Sequence, residues 1–260
     1  MEEKILQGKK NGMLVLVITT LLYIAAGVGL VFGILADSMV LLVVAFVWLA
    51  IGWIPWLGLK VLKPQEALVL TLFGKYYGTL KDDGFYFVNP FCVGVNPAAQ
   101  TKLNQSGDVN SHKKSAFNLT LGSGADGAAQ SSEMTSKKIS MKIMTLNNNK
   151  QKINDCLGNP VEIGIAVMWR VTNTAKAVFH VDNYKEYLSL QCDSALRNIV
   201  RIYPYDVAPG VDTTGDGIAD EGSLRGSSEV VAQRIKDEIQ SKVGDAGLEI
   251  MEARITYLAF

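Results

Sequence analysis

Near its beginning the chain carries two uncharged apolar stretches, MLVLVITTLLYIAAGVGLVFGILA at residues 13–36 and MVLLVVAFVWLAIGWIPWLGL at residues 39–59. Each is longer than the ~18 apolar residues that mark a membrane-spanning helix. A backbone inside lipid must satisfy its hydrogen bonds within its own segment, so both stretches are predicted to be helices. Only Asp37 and Ser38 separate them. The sequence therefore predicts a transmembrane helical hairpin at residues 13–59, with a tight turn at the far interface.

The flanks of the hairpin predict its orientation. Basic side chains lie before the first helix and after the second, and none lies in the turn; they are Lys4, Lys9, Lys10, Lys60 and Lys63. By the positive-inside rule, the tail at residues 1–12 and the soluble part are both expected on the cytoplasmic side of the cell membrane. A cleaved signal peptide would also begin with basic residues, but its apolar core is only ~7–15 residues long.

The ends of the two stretches and three tryptophans are expected to form the membrane anchor, the tryptophans as part of an interfacial aromatic belt. These residues are Met13, Ala36, Met39, Trp48, Trp53 and Trp56. Pro55 could kink the second helix or let it re-enter, so a hairpin that crosses the bilayer and one that dips into a single leaflet both fit. Gly27, Gly29 and Gly33 permit close helix contacts, but lipid-facing positions fit equally well.

Composition excludes some classes of function. The chain has 25 basic and 25 acidic residues, and no basic stripe is present that would neutralise nucleic-acid phosphates. Cys92, Cys156 and Cys192 are odd in number and lack metal-ligand spacing. They are therefore interpreted as free, buried thiols in a reducing compartment rather than as a disulfide framework.

The chain from residue 60 to residue 260 has the pattern of one α+β domain with a mainly antiparallel sheet. Strands are predicted at residues 66–73, 76–80, 85–88, 139–143, 161–171 and 248–258, with a hairpin turn at residues 147–149. Helices are predicted at residues 174–179, 183–202 and 228–243. The stretch at about residues 104–137 is rich in Ser, Gly, Asn and Ala, and it is interpreted as a flexible low-complexity insertion.

No set of residues marks an active site. His112 lies in the insertion and His180 follows a short helix, so a catalytic partnership with Cys156 or Cys192 has no independent support. An acidic loop resembles a calcium-binding EF-hand through Asp212, Asp216 and Asp220, with Gly217 at the sixth place. Thr214 at the third place and Ser223 at the twelfth depart from that pattern, so a solvated acidic turn is the simpler interpretation. No metal, cofactor or catalytic residue is assigned.

The order of motifs resembles the SPFH/band 7 family (also called PHB), which includes stomatins, prohibitins and flotillins. Resembling segments include PQEA at residues 64–67, LFGK at 72–75, GFYFVNPF at 84–91 and NDCLGNPVEI at 154–163. Others lie at residues 167–171, 175–179, 195–197, 203–206 and 248–258. The chain is similar to a bacterial-type, membrane-anchored member. It departs from the family in its low-complexity insertion, and it ends at Phe260, where relatives commonly continue into a helix that drives oligomerisation; it could therefore be truncated.

The resemblance implies a non-enzymatic scaffold. Proteins similar to this one self-assemble on membranes, organise lipid and protein microdomains, and modulate partner membrane proteins such as proteases. The expected partners are therefore membrane lipids, further copies of the chain and possible membrane proteases, with no nucleic acid and no cofactor. Two alternatives stay open at this point: an accessory subunit of a membrane protease or hydrolase, and a calcium-responsive membrane adaptor.

Overall fold

A computed structural model of the protein describes residues 2–6, 10–36, 38–101, 103, 136–148, 150–206 and 222–260. Its helices are α1 (Gly12–Leu35), α2 (Met39–Ile51), α3 (Ile54–Leu57), α4 (Thr174–Phe179), α5 (Tyr184–Val200) and α6 (Ser228–Val243). Short 3-10 turns occur at Pro97–Gln100 and Gly244–Ala246. Most of the expected insertion (residues 104–135) and the loop at residues 207–221 lie outside the described residues.

The strands are β1 (Leu59–Leu62), β2 (Glu66–Leu72), β3 (Lys75–Leu80), β4 (Gly84–Phe87), β5 (Cys92–Gly94), β6 (Ile139–Ser140), β7 (Met144–Asn147), β8 (Gln151–Asn154), β9 (Pro160–Val171) and β10 (Leu248–Ala259). Every ladder between these strands is antiparallel. Two apolar helices followed by antiparallel sheets with packed helices confirm the predicted α+β architecture.

The second apolar stretch ends earlier as a helix than the sequence predicted. The helix was expected to continue to Leu59, but α2 stops at Ile51, a turn follows, and α3 ends at Leu57. A side chain at Gly52 would collide with the Trp48 carbonyl, since an added Cβ would lie 2.6 Å from that oxygen. Leu59 instead pairs with Phe87 as the first residue of β1. The chain thus passes directly from the hairpin into a sheet.

The strands next to the hairpin, β1 to β6, form two small sheets that we call the hairpin-side sheets. One is the β1–β4 pair, and the other has the order β3-β2-β5 with β6 also paired to β2. Six side chains form their buried core: Leu62, Leu68, Leu70, Leu80, Tyr86 and Cys92. Leu6 from the N-terminal tail and Val88 pack against this core while staying partly exposed.

The larger sheet, which we call the main sheet, has the order β10-β9-β7, with β8 also paired to β9. The predicted hairpin turn at residues 147–149 is wrong, because β7 and β8 do not pair with each other. Both lie along the same edge of β9, and the Asn148 N–H donates to the Ile165 carbonyl at 2.9 Å, which keeps the chain on that edge.

Helices α5 and α6 pack on the main sheet and close its core. Leu188 and Leu196 of α5 and Ile235 and Ile239 of α6 are fully buried. Asn183 caps α5 by accepting hydrogen bonds from the Lys185 and Glu186 N–H groups. The apolar stripes predicted for both helices are the faces that bury against this sheet.

Candidate membrane-anchoring site

Helices α1 and α2 form an antiparallel pair that contacts through glycine. A methyl group added at Gly33 would lie 3.0 Å from the Leu42 side chain, and one at Gly29 would lie 3.5 Å from Leu41. Gly27 has no described atom within 4 Å of such a methyl group. The sequence left open whether these glycines form close helix contacts or face outward. Gly29 and Gly33 lie in the contact between the two helices, whereas Gly27 faces away from it.

Polar side chains connect the two helices near the domain. The Trp56 Nε1–H donates to the Thr19 Oγ1 at 2.9 Å, and the Tyr23 hydroxyl donates to the Leu49 carbonyl at 3.2 Å. The Tyr23 and Trp56 rings also contact each other, with centroids 5.5 Å apart. Because a hydrogen bond gains strength away from water, these contacts stabilise the pairing of the hairpin inside a membrane.

The outer surface of the hairpin is apolar and unpacked. Only 6% of the residues are buried in the most apolar 18-residue stretch of Gly12–Leu35. In the corresponding stretch of Met39–Leu57, 11% are buried. Core helices of soluble proteins bury their apolar residues, whereas these helices expose them. At 1.5 Å per residue, α1 is ~36 Å long, which exceeds the ~30 Å hydrocarbon thickness of a bilayer. By length and composition, α1 and the helical segment Met39–Leu57, which includes α2 and α3, could each cross a membrane.

Both ends of the hairpin return to the hairpin-side sheets. A methyl group added at Gly12, the first residue of α1, would lie 2.8 Å from the Phe85 backbone in β4. After α3, the Gly58 carbonyl accepts a hydrogen bond from the Val88 N–H at 2.9 Å. The N-terminal tail contacts the same region, since the Glu3 carboxylate lies 2.6 Å from the Lys81 Nζ. The tail and the soluble domain therefore lie at the same end of the hairpin.

Two exposed phenylalanines lie in the loops of the hairpin-side sheets. Phe73, in the turn between β2 and β3, is 84% exposed, and Phe91 is 59% exposed. Their rings stack with centroids 6.1 Å apart. Phe91 is three residues after Val88, which bonds to the end of the hairpin. Phe73 also has a φ of +49°, a left-handed conformation that is costly for a bulky residue.

Phe73 and Gly74 are the two residues of the turn between β2 and β3, and both have the positive φ that the favoured two-residue hairpin turns require. Glycine or asparagine would adopt the Phe73 backbone conformation at lower cost. An exposed aromatic residue held in that conformation is typical of a functional surface. We call Phe73 and Phe91 the aromatic tip.

The predicted anchor residues are spread along the hairpin, with Ala36 and Met39 at its turn, and the described topology lysines lie at the domain end. Met13, Ala36 and Met39 are exposed near helix ends, and Trp48, Trp53 and Trp56 are partly exposed on the second helix and its continuation. Lys10 forms a long ion pair with Asp83, Nζ to Oδ1 3.9 Å. Lys60 lies in β1 opposite Tyr86, Lys63 follows β1, and Lys4 lies in the docked tail. Lys9 lies outside the described residues.

The groups weighed for catalysis occupy structural positions where they are described. The Cys192 side chain is fully buried, and desolvation, with a smaller contribution from Asp193, raises its pKa to about 12. Its thiol is therefore neutral and a poor nucleophile at physiological pH. The His180 Nδ1 lies 3.1 Å from the Asp245 carbonyl. His112 and the acidic loop with Asp212, Asp216 and Asp220 lie outside the described residues.

Within the described part of the chain, no three His, Cys, Asp or Glu side chains are grouped closely enough to hold a metal ion.

The aromatic tip and the docking of Glu3 were missed in the sequence. Leu72-Phe73-Gly74-Lys75 was interpreted as the end of a strand followed by a glycine turn and as a segment that resembles the family, but not as an exposed aromatic site. Glu3 carried no signal, because its partners Lys81 and Thr174 are far away in the sequence.

Comparison with known proteins gives a family for most of the chain. The model of the SPFH domain / Band 7 family matches residues 60–260. No individual curated protein matches the chain. The match begins inside β1, directly after the hairpin, and it covers the hairpin-side sheets and the main sheet. Together with the α+β fold, this shows that the chain belongs to the SPFH/Band 7 family.

Proposed function

We propose that the protein is a membrane-anchored scaffold that self-assembles, organises membrane microdomains and modulates partner membrane proteins such as proteases. The observation that carries this proposal is the junction between the hairpin and the domain. Gly12 and Gly58 both contact β4 or the residue that follows it, so an SPFH domain is held directly against the end of a membrane anchor. Membership of the family is consistent with this role.

Contact with the lipid surface is supported by the aromatic tip. Phe73 and Phe91 present exposed apolar area on the hairpin-side sheets, and aromatic rings partition favourably into the headgroup region. Each fully buried ring of this size is worth roughly 1.5–3 kcal/mol. The tip and the hairpin together would fix the tilt of the domain on the bilayer.

The cytoplasmic orientation is part of the proposal and rests on charge. Lys4, Lys10, Lys60 and Lys63 all lie at the end of the hairpin that carries the domain. Lysines near the ends of spanning segments are retained on the cytoplasmic side. We therefore propose that the docked tail and the SPFH domain both face the cytoplasm.

Self-assembly is supported by the outer edge of β10. This strand has twelve residues, and only β9 pairs with it in the described part of the sheet. Its register shifts at two points, between Ile250 and Glu252 and between Ile255 and Tyr257. A strand edge that no other strand pairs with is a natural surface for contact between chains. We propose that copies of the domain meet along this edge.

Assembly would convert weak individual contacts into strong membrane association. Each copy contributes one hairpin and one aromatic tip, and linking many copies raises the effective concentration of both at the membrane. A ring or cage of such copies would enclose a patch of lipid and would hold membrane proteins beside it. The proposal needs no catalytic group, in keeping with the neutral, buried thiol of Cys192.

Chemical cross-linking and negative-stain microscopy of the full chain in lipid nanodiscs or native membrane extracts test this function. We expect large, regular assemblies. Met251, a partly exposed residue at the first bulge of β10, provides the test variant, and Leu190, an exposed residue on α5, provides the control. Met251→Lys should reduce the size of the assemblies, whereas Leu190→Lys should not. Monomers at all protein concentrations in the wild-type sample would contradict the scaffold function.

A further inference from the structure

The N-terminal tail docks on the domain as an added strand. Ile5 forms a parallel bridge with Thr79 in β3. The Leu6 N–H donates to the Thr79 carbonyl at 2.9 Å, and the Thr79 N–H donates to the Lys4 carbonyl at the same distance. Addition of an extended segment to a sheet edge is a common mode of peptide recognition, in which backbone hydrogen bonds give affinity and side-chain pockets give specificity.

A polar pocket receives the first side chain of this segment. The Glu3 carboxylate accepts hydrogen bonds from the Lys81 Nζ at 2.6 Å, from the Thr174 N–H at 3.1 Å and from the Thr174 hydroxyl. In their ion pair the Glu3 side chain is 10% exposed and the Lys81 side chain 17%. Thr174 is fully buried. A charged donor and two neutral donors around one largely buried carboxylate make the pocket selective for an acidic side chain.

An apolar notch receives the last side chain. Leu6 packs against the core of the hairpin-side sheets. It lies over Gly78, where an added Cβ would come within 2.6 Å of the Leu6 Cγ. Glycine at this position therefore leaves room for a leucine. Between the two pockets, Lys4 and Ile5 are exposed. The domain therefore recognises the docked segment through its first and fourth residues, Glu3 and Leu6.

We propose that the edge of β3 is a binding site for extended protein segments with a glutamate three residues before a leucine, and that the chain's own N-terminal tail closes it. We call this site the β3 groove; it comprises Gly78, Thr79, Lys81 and Thr174. A partner's segment of that chemistry binds when it displaces the tail. The site thereby gives the scaffold a means of recognising partner proteins that is separate from lipid contact and from the β10 edge.

The tail regulates the β3 groove by competition. It is tethered only a few residues before α1, so it acts at the high effective concentration of an intramolecular ligand, typically millimolar. Its attachment consists of two backbone hydrogen bonds, one ion-paired carboxylate and one leucine. A free segment with the same residues must exceed this intramolecular advantage, so binding is suppressed in the resting protein and strengthens when the tail is released.

Peptide binding to the full chain in lipid nanodiscs tests the proposal. The probe is a fluorescent peptide with the sequence EEKILQGK, which corresponds to residues 2–9. The receptors are the wild type, a variant that lacks Glu2–Leu6, and Glu3→Lys in the full chain, which keeps the tail but reverses its charge. Fluorescence anisotropy should show saturable binding to both variants at least tenfold tighter than to the wild type.

Charge reversal on both sides provides the specificity control. A peptide with lysine in place of Glu3 should bind the tail-deleted receptor at least tenfold more weakly, and Lys81→Glu in that receptor should restore its binding. Hydrogen exchange of β2, the strand that pairs with β3, confirms that the groove is folded in each receptor. The proposal is overturned if the folded tail-deleted and Glu3→Lys receptors bind no peptide. It is also overturned if they bind the peptide with glutamate and the peptide with lysine equally well.

Discussion

The hairpin-side sheets and the main sheet are stabilised in different ways. The main sheet buries its core under α5 and α6, with Trp169, Leu188 and Ile235 among the fully buried residues. The hairpin-side sheets have a separate cluster of six buried side chains, to which the tail and the end of the hairpin add contacts, while Val69 of β2 and Ile139 of β6 join the larger core. The main sheet thus rests on a large core, whereas the hairpin-side sheets have a small separate cluster to which the tail and the hairpin contribute contacts.

The stability of the hairpin-side sheets therefore depends in part on whether the tail and the hairpin are docked. A small core offers little apolar burial to offset the conformational entropy of its strands. Docking of residues 3–6 and of Gly58 adds burial and hydrogen bonds where that core is small. Loss of the membrane anchor should therefore loosen the hairpin-side sheets first and leave the main sheet folded.

The largest change in the free energy of unfolding is expected from a substitution in the core of the main sheet. Leu196→Ala removes a fully buried side chain and should lower the free energy of unfolding by about 2–5 kcal/mol. Leu190→Ala on the same helix removes an exposed side chain and should change it by less than about 0.5 kcal/mol. Urea denaturation followed by circular dichroism measures both values. Equal effects would mean that α5 does not pack on the sheet as described.

A smaller and local effect is expected where the tail meets the hairpin-side sheets. Leu6→Ala should weaken docking by about 1 kcal/mol, because Leu6 is only partly buried. Ile5→Ala, the neighbouring exposed residue, serves as the control. Hydrogen exchange of the Thr79 amide should accelerate in Leu6→Ala alone, with exchange in β9 unchanged. If exchange also accelerates in β9, the two parts of the domain do not respond independently.

A change in the opposite direction is expected at the aromatic tip. Phe73→Asn relieves the left-handed strain and should stabilise the domain by about 0.5–1 kcal/mol. The same variant should bind liposomes more weakly when the soluble domain contacts lipid, because it loses an exposed ring. Thermal unfolding and a liposome flotation assay measure the two quantities. If Phe73→Asn floats with liposomes as the wild type does, the aromatic tip does not contribute to membrane binding.

The smallest effect concerns the cysteines. Burial raises the pKa of Cys192 to about 12 and also raises the pKa of Cys92, although a nearby Lys60 partly offsets the latter. Since a raised pKa leaves the thiol neutral at pH 8, Cys192 is a poor nucleophile. Alkylation by iodoacetamide should therefore modify Cys156 first at pH 8, and mass spectrometry identifies the site. Rapid modification of Cys192 in folded protein would contradict its burial.

Much of the fold could be predicted from local patterns. Each element predicted in this way has a signal within its own segment. The signals are the alternation over β9, the apolar stripes of α5 and α6, and the length of the charge-free stretches of the hairpin. The arrangement of β7 and β8 could not, because a run of asparagines looks the same in a hairpin turn and in a bulged edge that continues along β9. The start of β1 at Leu59 was not visible either, because the four residues LKVL are too few to show a strand period beside an apolar stretch.

The site was predicted in part. The sequence indicated the anchor and the lysines, but not that Glu3 reaches Lys81 and Thr174, because such contacts depend on tertiary structure. The aromatic tip was overlooked because hydrophobic residues are normally interpreted as core, whereas the φ of Phe73 and its exposure become visible only in the structure.

Thiol labelling with a membrane-impermeant reagent tests the central claim most directly. Single cysteines are introduced at Lys4, at Gln233 on α6 and at Ser38 between the hairpin helices, in a Cys156→Ser background that keeps the two buried cysteines. We expect Lys4→Cys and Gln233→Cys to react from the cytoplasmic side of sealed vesicles, and Ser38→Cys to react only from the other side. A Ser38→Cys that reacts from neither side would indicate a hairpin within one leaflet. Reaction of Lys4→Cys and Gln233→Cys from opposite sides, or recovery of the protein in the aqueous fraction without detergent, would contradict the account.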